Sequence, residues 1–167
     1  GDLNRLTLIQ VDAHADLRDQ LGGERFSHGT AVRRSLDAGI GHVVQIGTRA
    51  LSKEEAEFSH KDERVETWYA RDFMGVCDGP KGWAALKERI SQIEGPVWLT
   101  FDVDGLDGSL VPDTGTPVPG GLSHWAAVEI IEDLFASSAE VIGADVNEIV
   151  PGEDRLTQFN AALIATK

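Results

Sequence analysis

The chain has 167 residues, 41% of them hydrophobic and 26% charged, with 28 acidic against 15 basic side chains and a formal charge of −13. That length fits one domain with a sizeable core. The charge argues against nucleic acid or anionic membrane as partners, since both need a positive face, and no apolar run approaches a membrane span.

Taken in chain order, Leu6–Val11 reads as a short buried strand of aliphatic and β-branched residues. It feeds Asp12-Ala13-His14-Ala15-Asp16, where alternate side chains of an extended backbone share one side. A polar loop and Phe26-Ser27-His28-Gly29-Thr30 precede a short helix over Ala31–Ala38, ended by Gly39. His42–Ile46 is a second strand, closed by Gly47, and Ser52 caps a helix running to Phe58. Val65–Tyr69 is a further short strand. Trp83–Ile93 has Trp83, Leu86, Ile90 and Ile93 at helical spacing, and Gly95-Pro96 stops it. Val97–Phe101 is a strong strand, followed by a Gly/Pro/Asp-rich loop over Gly105–Gly121 and a Ser123-capped helix over His124–Phe135. Val141–Ala144 leads into Asp145 and Glu148, and a last helix occupies Leu156–Lys167.

Strands alternate with helices and read as continuous apolar runs. That pattern predicts a parallel sheet covered on both faces, in a single α/β domain without repeats or long linkers. Such sheets collect ligands beyond the carboxyl ends of their strands. Three strands deliver acid there: Asp12 and Asp16 after the first, Asp102 and Asp104 after Val97–Phe101, Asp145 and Glu148 after Val141–Ala144. Carboxylates crowded together repel, and divalent cations relieve the conflict. Oxygen donors with an imidazole suit manganese or magnesium better than a cysteine-seeking structural zinc. Two such ions sharing a water generate a hydroxide near neutral pH, which points to hydrolysis.

At these residues the chain resembles the ureohydrolases, the arginase and agmatinase family. Asp12–Asp16, Asp102-Val103-Asp104-Gly105-Leu106-Asp107, Thr114-Gly115-Thr116-Pro117 with Gly120-Gly121-Leu122, and Asp145-Val146-Asn147-Glu148 carry the resemblance in that order. It implies a three-layer αβα fold and a metal-bridging hydroxide, held by two Mn2+, that cleaves a guanidinium group into urea and an amine. Asp12 and Asp102 would bridge the ions, Asp16 would serve one, and His14 and Asp104 the other. Asp16 would also hydrogen-bond the hydroxide, Glu148 would bind the guanidinium, Thr116 would lie beside it, and His28 would shuttle protons.

Asp107 and Asp145 are expected to be supporting carboxylates, His42, His60 and His124 surface or capping residues, and Cys77 and the four tryptophans packing residues. Gly108 and Asn147 depart from the family pattern, where a proline and an aliphatic residue are usual. The family's remaining ligand histidine, in a G-G-D-H motif, has no counterpart here, because Gly22-Gly23-Glu24-Arg25 is not that motif. The expectation is therefore a single ureohydrolase domain, residues 1–167, lacking its first strands, with that ligand upstream of Gly1, and slightly cut at the C-terminus. Asp-Leu-Arg followed by Ser-His-Gly-Thr looks most like agmatinase, with agmatine cleaved to urea and putrescine. A small cationic guanidino substrate suits an acidic protein. Guanidinobutyrase, arginase, formimidoylglutamase or an inactive metal-binding fragment are the alternatives. The resemblance also implies a homo-oligomer, trimer or hexamer, and the lone Cys77 fits a reducing, cytoplasmic compartment.

Overall fold

The computed structural model describes residues 2–75, 81–153 and 155–167, so Cys77 lies outside the described residues. Five strands form one all-parallel sheet: β1 (Thr7–Val11), β2 (His42–Thr48), β3 (Val65–Tyr69), β4 (Glu94–Asp102) and β5 (Ser138–Asn147), in the order β3-β2-β1-β4-β5. The helices are α1 (Ala31–Asp37), α2 (Lys53–Lys61), α3 (Ala70–Met74), α4 (Trp83–Ser91), α5 (His124–Ala136) and α6 (Leu156–Ala165). None of those described is long and apolar enough to cross a membrane.

Alternation along the strands sorts side chains to two faces. Leu8, Val43 and Val65 meet Val32 and Leu36 of α1, with Phe58 of α2 packed against them. Ile9, Val44, Ile46, Leu99 and Phe101 face the other way, onto Phe73, Leu86, Ile90, Val128, Ile131 and Ile164 from α3 to α6. The result is the three-layer αβα arrangement. Each of these larger side chains contributes roughly 1.5–3 kcal/mol on burial.

Helix starts follow their caps. Ser52 and Glu55 exchange backbone and side-chain bonds in a capping box that opens α2. The Ser123 hydroxyl accepts the Ala126 N–H at 3.1 Å and opens α5, a cap of about 1 kcal/mol.

Several boundaries differ from expectation. β4 begins at Glu94 and runs through Gly95-Pro96, which the sequence suggests as a stop. Pro96 lies before the pairing with β1 begins at Thr7↔Val97, so it sits where β4 has β5 as its one neighbour, an edge-like position that tolerates proline. β5 extends to Asn147, placing Asp145 inside the strand rather than beyond its end. Of the tryptophans, Trp125 is 74% and Trp98 39% exposed, so these two do not serve as core packing.

β1 has β2 on one side and β4 on the other, so the direction of winding reverses beside it. Beyond the carboxyl ends at such a reversal the two flanking loops diverge and leave a crevice.

Candidate metal centre

The crevice is built from the ends of β1 and β4. Asp12 follows β1, with its N–H on the Ile46 carbonyl at 3.1 Å and only 3% of its surface exposed. Its Oδ1 accepts the His14 N–H at 2.6 Å, and its Oδ2 accepts Gln10 Nε2 at 2.7 Å. His14 Nδ1 lies 3.0 Å from Asp104 Oδ2 and 3.5 Å from Asp12 Oδ1.

Asp102 ends β4, and Asp104 does not follow it on extended backbone as the i, i+2 spacing suggests. Val103–Gly105 is a 3-10 turn, capped by Asp102 Oδ1 accepting the Asp104 N–H at 2.9 Å. The turn is drawn back because Asp104 Oδ1 accepts the Ala13 N–H at 3.0 Å. A Cβ on Gly105 would stand 3.0 Å from the Asp12 nitrogen and from Val11 Cγ1, so a larger residue would force this turn and the end of β1 apart by a few tenths of an ångström.

Asp12, His14 and Asp104 each offer a donor atom within 4.8 Å of the others. A cleft of about 520 Å3 is lined by all eight residues singled out from sequence: Asp12, His14, Asp16, His28, Asp102, Asp104, Thr116 and Glu148. Thr116 Oγ1 donates to Asp104 Oδ2 at 3.3 Å. His28 is exposed on the rim, its Nδ1 3.4 Å from Ser27 Oγ. Asp16 and Glu148 are the two non-glycine residues with positive φ among those described, at 52° and 60°. Their carbonyls are fixed by the Arg33 N–H at 3.1 Å and the Thr114 hydroxyl at 2.8 Å respectively.

The other candidates do not line this cleft, although Asp145 lines the adjoining cavity with Asp12, Asp16, His28, Asp102 and Glu148. Asp107 accepts the N–H groups of Ser109, Gly120 and Gly121, stapling the loop that carries Thr116, and these bonds, led by the Ser109 hydroxyl, pull its carboxyl down to about 2. Asp145 points along the sheet face, where Trp98 Nε1, Thr100 Oγ1 and Asn147 Nδ2 donate to it. His42 pairs with Glu66 at 3.5 Å, His60 Nδ1 sits 2.6 Å from the Ala56 carbonyl, and His124 packs edge-on against Trp125.

The electrostatics of the cluster call for cations. Burial, and then neighbouring like charge, pushes Asp16 and Asp102 above the usual carboxylate range. Asp12 also rises, chiefly through burial. Against the pull of burial, bonds from the His14 imidazole and the Ala13 amide hold Asp104 low. Hydrogen bonds to Asp104 and Asp12 push His14 up to about 10, so its proton sits among carboxylates as a cation would. Carboxylate oxygens with one imidazole suit a hard divalent ion, and these residues fit one.

Sequence reading passed over Gln10, Gln45 and Arg49. Gln10 and Gln45 are 2% and 0% exposed in otherwise apolar strands, and that interruption was the available signal. Arg49, just past β2, donates to five backbone carbonyls, those of Gly47, Asp104, Leu106, Val118 and Pro119.

Comparison with known proteins places this geometry. The family model "Arginase family" matches residues 2–167. The chain belongs to the arginase family. Within it, the chain is 33% identical over its full length to N(1)-aminopropylagmatine ureohydrolase of Synechocystis, covering 52% of that protein. It is 34% identical to guanidinobutyrase of Pseudomonas aeruginosa, over 96% of this chain and 49% of the relative. A crystal structure of a putative agmatinase from Clostridium difficile superposes with a TM-score of 0.79 at 28% identity, over 98% of this chain and 56% of that one. The chain thus spans about half the length of the curated arginase-family relatives it matches.

Proposed function

We propose that this arginase-family chain provides the catalytic centre for hydrolysis of a small guanidino compound, with agmatine as substrate and urea and putrescine as products. The observation that carries the reading is the meeting of Asp12, His14 and Asp104 donor atoms within 4.8 Å, in a cleft also lined by Asp16, Asp102, His28 and Glu148. Two Mn2+ are the proposed cofactors, and Asp12, His14, Asp16, Asp102 and Asp104 are the residues that would hold them. When bound, such ions acidify a water molecule for attack near neutral pH.

The chain's own groups do the rest. The Glu148 carboxylate accepts N–H bonds from the planar guanidinium and fixes its orientation. Asp16 accepts a hydrogen bond from the attacking water and holds it against the guanidinium carbon. As the bond from that carbon to the tail nitrogen breaks, the His28 imidazole delivers the proton that turns the nitrogen into a free amine. The Thr116 hydroxyl, on Asp104, steadies the wall beside the guanidinium. The net charge of −13 draws in a dication such as agmatine. A homo-oligomer in a reducing, cytoplasmic compartment completes the proposal.

A second reading, hydrolysis of a guanidino acid, has one observation in its favour. Arg18 lines the same cleft and would face a carboxylate tail, although it also lies 3.4 Å from Glu55. Urea release with added Mn2+, from agmatine, guanidinobutyrate and arginine in parallel, decides between them. Agmatine turnover is expected; a preference for guanidinobutyrate replaces the substrate, and no urea from any of them, with this chain or with one extended upstream to the length of its relatives, ends the hydrolase reading. Bound Mn2+ per chain in the same samples tests the two-ion assignment.

A further inference from the structure

Three polar side chains sit where strand interiors ordinarily hold hydrocarbon. Gln10 in β1, Gln45 in β2 and Thr67 in β3 are 2%, 0% and 9% exposed. Sheet register makes them direct neighbours: Gln10 is paired with Gln45, and Gln45 with Thr67. A buried amide is costly unless its hydrogen bonds are made, and here they form a continuous line. Thr67 Oγ1 donates to Gln45 Oε1 at 3.0 Å, Gln45 Nε2 donates to Gln10 Oε1 at 2.7 Å, and Gln10 Nε2 donates to Asp12 Oδ2 at 2.7 Å.

The direction of the line follows from one fixed acceptor. Gln45 Nε2 also donates to the Ala15 carbonyl at 2.7 Å. A carbonyl only accepts, so the amide nitrogen of Gln45 must lie on that side, and its oxygen must face the Thr67 hydroxyl. The second N–H of Gln45 then requires an oxygen opposite, so Gln10 offers Oε1 to Gln45 and its nitrogen to Asp12. Each side chain of the row thus donates to the next one nearer the carboxylate, while the remaining amide hydrogens of Gln45 and Gln10 go to the Ala15 and His14 carbonyls. On the other side of that carboxylate, Asp12 Oδ1 accepts the His14 N–H at 2.6 Å. Oδ1 also has His14 Nδ1 at 3.5 Å, whereas Oδ2 takes the Gln10 amide as its protein donor and keeps a lone pair free.

We infer that Gln10 and Gln45 are positioning residues of the metal centre: the row from Thr67 through Gln45 and Gln10 orients the Asp12 carboxylate so that a lone pair on Oδ2 is open to a cation. The inference rests on the metal reading above, not on the identity of the substrate. Partners of this kind typically change metal affinity by about 10–100-fold when removed.

The test is Mn2+ titration of the full chain, with unbound ion read by its electron paramagnetic resonance signal and metal-free melting temperature read in parallel. Gln10→Met, similar in length but without a donor, should weaken Mn2+ binding about 10–100-fold. Gln45→Met, acting through Gln10, should weaken it less. The double variant should bind no more weakly than Gln10→Met alone, even though its melting temperature falls further. Parent-like affinity in Gln10→Met, or affinity losses that simply multiply in the double variant, overturns the inference. Should Gln10→Met not fold, Gln45→Met decides in its place: unchanged affinity overturns the inference and weakened affinity supports it. A parent chain that binds Mn2+ but releases no urea, with weakened variants, removes the proposed reaction and leaves the row standing. A parent chain that takes up no Mn2+ overturns both.

Discussion

Glu148 holds its carboxylate on the cleft from a backbone at φ 60°, and Asp16 does the same at φ 52°. A left-handed conformation costs an ordinary residue roughly 1–2 kcal/mol, and glycine would avoid it. Retaining acids at these two positions is consistent with a use for the carboxylates themselves. For Glu148→Gln, which keeps shape and removes charge, the lost charge-assisted bond is worth about 1.5–3 kcal/mol. The kcat/KM for agmatine should accordingly drop about 10–100-fold, measured by urea release, with bound Mn2+ unchanged. His28→Ala should slow turnover by about 100-fold or more while metal content stays near that of the parent; loss of metal would make His28 a ligand. At this scale the sequence is informative because the chemistry resides in residue type, and every acid and imidazole picked out for the site lines one cleft. The glutamine row escaped because its meaning depends on register, which pairs residues from three separate strands.

Arg49 ties elements together. From the end of β2 its Nη2 donates to the carbonyls of Asp104, Leu106 and Val118 at 2.7, 3.0 and 2.8 Å, while Nε reaches Pro119 at 3.2 Å. A Cβ on Gly121 would lie 2.5 Å from that Nη2 and 2.6 Å from the Leu106 carbonyl, so the loop closes on the guanidinium without room for a side chain. Arg49→Lys keeps the charge but loses the planar fork. It should destabilise the chain by about 2–4 kcal/mol, seen in denaturant unfolding, and speed proteolysis within residues 107–121. Unchanged stability and cleavage would remove Arg49 from this role. The strands and longer helices were legible through periodicity and caps such as Ser52 and Ser123. The 3-10 turn at Val103–Gly105 and the short α3 were not, because a single turn is set by contacts with distant backbone, here the Ala13 N–H on Asp104.

Across the whole molecule, the cluster makes stability depend on pH. His14 is raised from 6.5 to about 10, so its stabilising contribution is complete below 6.5 and is lost as pH climbs through 10. Asp12, Asp16 and Asp102 are also raised, so above the ordinary carboxylate value of 3.8 the folded chain holds more protons than the unfolded one. Rising pH weakens the fold through these groups as well. Carboxyls held low, such as Asp104 and Asp107, act only at more acidic pH. The melting temperature of the metal-free chain should therefore fall between about pH 6 and about pH 9. Added Mn2+ should raise it most at the alkaline end, where ions no longer compete with protons. A metal-free melting temperature that climbs over that interval contradicts the assignment. The parallel αβα class was readable from alternating elements, whereas strand order was not, since sequence does not say which strands become neighbours. The same long-range pairing also sets a timetable. Ala13 and Asp104, joined by one hydrogen bond, are 91 residues apart in the chain, and closing so long a loop is an entropic toll levied before β4 can pair with β1. Until β4 docks beside β1, Asp12 and Asp102 are solvated acids with ordinary manners, and their hunger for cations is a property acquired only with that pairing.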